Sequence, residues 1–105
     1  MLAVIKKCFI ENRVLYTAHA RREIRGEEYG LIDEEEVYQA VVHGEIIEKY
    51  EDDKPYPSVL LFGRTLKGKP IHAVCAYSKE DDWVIVVTVY RPDPERWIDF
   101  KRRKK

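Results

Sequence analysis

Several things are scarce in this chain, and each scarcity excludes a class. No apolar run approaches the ~20 residues that span a bilayer, and mean hydropathy is -0.49. There are only two cysteines, Cys8 and Cys75, and neither belongs to a CxxC or a spaced Cys/His pattern. Two buried, reduced thiols are the expectation, not a zinc site or a disulfide framework. No Gly-rich phosphate loop and no GxSxG elbow occurs. The histidines, His19, His43 and His72, form no HxxxH or His-x-His pattern, so no metal and no cofactor is expected. Net charge is also absent: 19 Lys and Arg balance 19 Asp and Glu. A protein that grips many phosphates is usually basic, so any contact with nucleic acid must rest on a local patch.

What is present describes one small domain of 105 residues, 45% of them hydrophobic. That length holds one core. The N-terminus places Lys6 and Lys7 after a short apolar stretch, the reverse of a secretory signal, and a cytoplasmic protein is expected. Charge is unevenly spread. Residues 33–56 carry two basic against nine acidic side chains, whereas residues 83–105 carry seven against three.

Apolar spacing over residues 2–11 predicts a short amphipathic helix. Thr17 suits an N-cap for a second helix, Asp33 for a third whose first turn is Glu34-Glu35-Glu36. Gly44 stops the third helix. Strands are predicted over 45–50, 58–65, 69–77 and 83–90, the last two forming a hairpin across Ser78-Lys79-Glu80-Asp81-Asp82. Trp83 to Tyr90 is almost wholly β-branched or aromatic, which predicts a central strand buried on both faces. Pro92 and Pro94 forbid further pairing, and Trp97, Ile98 and Phe100 are expected to pack back. The expected architecture is α+β: N-terminal helices on one face of a four-stranded antiparallel sheet, residues 1–100 forming the domain and 101–105 a frayed basic tail. The second sheet face is left half exposed, and a site is expected there.

His19 and Arg22 share a helix face, and Arg25 extends it. His72 shares its strand face with Val74 and Ala76, and Thr88 shares one with Tyr90. Joined in one cleft, these residues would suit metal-free RNA cleavage. A base takes the 2′-hydroxyl proton, an acid protonates the leaving oxygen, and a cation stabilises charge on phosphorus. Each also has a plainer reading: a hydrogen-bonded strand histidine, a capping histidine, solvated arginines, a packed tyrosine.

Four ordered motifs carry a resemblance: Tyr16-Thr17-Ala18-His19-Ala20-Arg21, Gly44-Glu45-Ile46-Ile47-Glu48-Lys49-Tyr50, Lys69-Pro70-Ile71-His72-Ala73-Val74, and Val87-Thr88-Val89-Tyr90-Arg91-Pro92-Asp93, closed by Trp97. Over about residues 15–97 the chain resembles a family of small prokaryotic proteins catalogued as a domain of unknown function within the RelE/ParE-like toxin superfamily. Members are often encoded beside a YgiT-type zinc-finger protein. The resemblance implies a RelE-like fold and the toxin-like half of a toxin–antitoxin pair, an mRNA interferase-like endoribonuclease with an antitoxin-like partner and RNA as its target. His19, His72 and Tyr90 would then be catalytic, and Arg21, Arg22, Arg25 and Thr88 would bind substrate. One departure stands out: Tyr29-Gly30 occupies the place of the family's Arg-Gly pair. The alternative is a non-catalytic protein- or RNA-binding module on the same fold.

Overall fold

A computed structural model describes residues 1–26 and 31–104, without the side chains of residues 25 and 26. The Arg25 side chain and the Tyr29-Gly30 pair lie outside the described residues.

All three predicted helices form, and side-chain caps open the second and third. Helix α1 spans Leu2–Ile10 and buries Ile5, Cys8 and Phe9. Helix α2 spans Ala18–Gly26, and Thr17 caps it by accepting a hydrogen bond from the Ala20 amide at 3.0 Å. Helix α3 spans Glu34–Val42. Asp33 and Glu36 form a reciprocal capping box at its start, satisfying amides that have no partner within the helix.

The strands are β1 (Val14–Tyr16), β2 (Glu45–Tyr50), β3 (Ser58–Arg64), β4 (Pro70–Ser78) and β5 (Trp83–Tyr90). They form one sheet in the order β1-β5-β4-β3-β2. The expected four-stranded antiparallel sheet is thereby corrected to a five-stranded mixed one. The added strand β1 pairs in parallel with β5 through Val14–Val84, Leu15–Ile85 and Tyr16–Val86. Three residues give no alternation to read, and the partner lies some 70 positions away.

The helices cover one face of the sheet. Val37, Ala40 and Val41 of α3 join Val59, Leu61, Ile71, Ala73, Cys75, Val84, Val86 and Val89 in a core that also takes Ile5, Cys8 and Phe9 from α1. Both cysteines are free and buried. Helix α3 lies so close to β3 that a Cβ on Gly63 would sit 1.8 Å from the Ala40 carbonyl oxygen.

The strand buried on both faces is β3, whose residues Ser58 to Gly63 are all buried. In β5 the helix-facing Val84, Val86 and Val89 are buried and the remaining residues are half-buried. The expectation for Trp83 to Tyr90 is corrected accordingly. Its composition suits a sheet interior, but the chain supplies only partial cover for its second face.

The C-terminal end is also more ordered than a frayed tail. Two short strands, β6 (Trp97–Ile98) and β7 (Arg102–Arg103), pair as a hairpin. At its turn Asp99 and Phe100 both have positive φ, 54° and 62°. An aromatic residue seldom adopts that backbone conformation.

Candidate functional site

The open face of the sheet is shaped by two bulges. Opposite β4, the register passes from Val74–Thr88 to Cys75–Val86, leaving Val87 as the extra residue. Opposite β3 it passes from Ile46–Leu61 to Glu48–Leu60, leaving Ile47 extra. A bulge resets the side-chain alternation beyond it. Val86 therefore faces the helices, while Thr88 and Tyr90 face the other way, opposite Val74 and His72. Glu48 and Tyr50 likewise turn to the face of Leu60 and Ser58. Two local irregularities thus bring His72, Tyr90, Thr88, Glu48 and Tyr50 onto one surface.

Helix α2 holds the first bulge in place. The Thr17 hydroxyl donates to the Val87 carbonyl at 3.0 Å, and the Thr17 amide donates to Val86. Just beyond, the Val89 amide donates to the Glu23 carboxylate at 3.1 Å.

His72 is the centre of the face, with no exposed surface. Its Nε2 meets the Phe100 carbonyl oxygen at 2.5 Å and its Nδ1 meets the Tyr90 hydroxyl at 3.1 Å. A carbonyl only accepts, so Nε2 carries the proton, and Nδ1 of the neutral ring accepts from Tyr90. The rings of Trp97, Tyr90 and Phe62 stand edge-on to it at 4.5, 5.3 and 5.8 Å between centroids. Burial holds His72 below the usual histidine pKa, against the opposing pull of the Phe100 bond. Burial also pushes the Tyr90 phenol up to about 12. Both groups are therefore neutral at physiological pH.

Above this pair lies a charged latch. Arg103 donates twice to Glu48, at 2.8 and 3.1 Å, and its guanidinium lies over the Trp97 ring at 4.7 Å. The Tyr50 hydroxyl also donates to Glu48. The Arg103 bond, aided by Tyr50, holds the Glu48 carboxyl below its usual range.

The residues singled out from the sequence divide into two groups. His72, Thr88 and Tyr90 share the open face. His19, Arg21 and Arg22 sit exposed on α2. His19 approaches Glu23 at 3.4 Å. Arg21 pairs with Glu34 at 3.2 Å and lies over the Tyr16 ring. Among the described residues, no hydrogen bond, ion pair or ring contact joins His19 to His72. Sequence reasoning missed Glu48, Tyr50 and Arg103. The first two stand inside the Gly44–Tyr50 motif, where strict alternation gives no reason to pair them with His72. Arg103 lies in the segment expected to fray. Among the described residues, no group of three or more His, Cys, Asp or Glu side chains is placed to hold a metal ion. No helix among them is long and apolar enough to cross a membrane.

These features define an α+β domain with a histidine-centred polar cluster on the sheet face away from its helices. The chain belongs to the family described as Domain of unknown function (DUF4258), whose model matches residues 16–91. That match contains His19, Arg21, Arg22, His72, Thr88 and Tyr90 and ends before the β6–β7 hairpin. No curated protein and no solved structure matches the chain.

Proposed function

We propose that this protein is the toxin-like half of a toxin–antitoxin pair, a RelE-like, metal-independent endoribonuclease whose working face is the open side of the sheet. The observation that carries this reading is the contact between His72 Nδ1 and the Tyr90 hydroxyl, with Arg103 and Glu48 on the same face. It couples a neutral base to a protonated acid. In the proposed reaction the substrate 2′-oxygen attacks phosphorus and gives its proton to His72. The 5′-oxygen leaves with the Tyr90 proton, and His72 returns a proton to Tyr90 through their contact. The products are a 2′,3′-cyclic phosphate and a 5′-hydroxyl. Arg103, released from Glu48, stabilises the charge on phosphorus. Arg21, paired with Glu34, and Arg22 stand on α2 apart from this face and take no part in this step.

His72 is enclosed by Trp97 and Phe100, so substrate entry requires residues 97–103 to lift. The left-handed backbone at Phe100 favours that opening, because it stores of order 1 kcal/mol of strain in the closed form.

The test is incubation of the purified full chain with end-labelled RNA in EDTA. Cleavage should leave cyclic phosphate ends. His72→Ala and Tyr90→Phe should lower the rate by about a hundredfold or more, with folding checked by circular dichroism. Undiminished cleavage by both variants removes these residues from the mechanism.

A second reading, a non-catalytic binding module, is favoured by the same enclosure: His72 has both ring nitrogens bonded and no exposed surface. It predicts stable partner binding and no RNA turnover by wild type in any condition.

A further inference from the structure

The β6–β7 hairpin covers only half of the open face. The other half carries two adjoining depressions. One, of about 260 Å³, lies over Ala76 and Val87 beside Pro55. The second, of about 510 Å³, lies between Leu15, Trp83 and Ser78. Tyr56 and Ile85 line both, so they form one continuous trough. Its floor is apolar, and Leu15 beside it is 54% exposed. Apolar side chains grouped in such a depression would lose water to a docked apolar segment, which favours association.

We infer that this trough is a docking surface for a segment of a partner protein that is apolar and aromatic on one side and basic on the other. Two observations select that chemistry. First, the rim is acidic. Asp53 and Asp81 line it against Lys54, and Glu51, Asp52 and Glu80 stand exposed on the same two loops against Lys79, whereas Asp82 is turned away and paired with Arg13. A polyanion would be repelled, and a basic segment attracted. Second, the chain already covers the neighbouring half with a segment of this type. Trp97 and Phe100 pack on His72 and Phe62, while Arg103 and Lys101 reach Glu48 and Glu45. The same surface continues past the hairpin, and a segment of matching composition would continue its cover. This holds whether or not the His72 face cleaves RNA.

The test uses the isotope-labelled full chain, titrated by NMR with a synthetic amphipathic peptide bearing Leu and Trp on one side and Lys and Arg on the other. Its control carries Glu in place of each basic residue. The basic peptide should shift the Trp83 indole, Leu15 and Ile85 signals, with affinity falling as salt rises, and the acidic peptide should not. Trp83→Ala should weaken binding about tenfold or more. The exposed pair Asp52→Lys/Glu80→Lys should weaken it without affecting the fold. Equal binding of both peptides, no binding of either, or shifts confined to other surfaces would overturn the inference. So would an oligouridine that moves the same signals, or a homodimer burying Trp83 and Leu15.

Discussion

Glu48 and Arg103, 55 positions apart in sequence, meet through two hydrogen bonds that close the C-terminal hairpin over the sheet. The pair ties β7 to β2, and the same guanidinium rests on Trp97, which in turn rests on His72. Packing at the centre of the open face is therefore coupled to a charged contact at its rim.

This coupling makes the hairpin acid-sensitive. Bonding to Arg103 lowers the native pKa of Glu48, so the native state binds that proton less readily than the unfolded chain. The stabilisation is complete above the ordinary carboxylate pKa and is lost as pH falls through the lowered native value. Glu48→Gln should cost about 0.5–1 kcal/mol at neutral pH, a modest value because Arg103 is 62% exposed and screened by water. The difference from wild type should shrink in acid. Urea titrations followed by tryptophan fluorescence at the two pH values check both statements.

His72 should resist protonation. Its native pKa is lowered mainly by burial, so the contribution of its neutral ring to stability is present above the unfolded histidine value and is lost as pH falls through the lowered native one. Long-range nitrogen–proton NMR should find the Nε2–H tautomer at neutral pH, with titration only below the ordinary histidine range. His72→Ala should destabilise by about 3 kcal/mol, since it leaves a cavity among three aromatic rings and deprives the Phe100 carbonyl of its donor.

Thr17 joins a helix cap to a sheet bulge. Its hydroxyl accepts from Ala20 and donates to Val87. Thr17→Ala should cost about 1–2 kcal/mol, whereas Thr17→Ser, which keeps the oxygen, should cost much less. Thermal melts of the two variants separate loss of the hydroxyl from loss of the methyl group.

Gly63 sets the spacing between α3 and the sheet. Any side chain there meets the Ala40 backbone, which cannot move without shifting the helix. Gly63→Ala should destabilise by about 3 kcal/mol or more. It should also raise hydrogen exchange across α3, measurable by mass spectrometry, while leaving the β4–β5 hairpin protected.

Local order was legible in the sequence, because caps and alternation act over a few residues. Thr17, Asp33 and Gly44 bound their helices, and the four long strands lie close to their predicted spans. Two thiols without metal or disulfide spacing are indeed two buried, free cysteines. The sequence also placed His72, Thr88 and Tyr90 in facing strands. Tertiary structure alone decided how those residues are used. A three-residue strand becomes part of the sheet only when β5 offers it a parallel edge. The bulges at Ile47 and Val87 depend on cross-strand register, and they decide that Glu48, Thr88 and Tyr90 face away from the helices. Lys101 to Lys105 reads as a solvated tail until Glu45 and Glu48 are brought beside Lys101 and Arg103. The enclosure of His72 likewise has no local signature. It depends on Trp97 and Phe100 returning over a sheet face that the hairpin sequence, read by itself, leaves open.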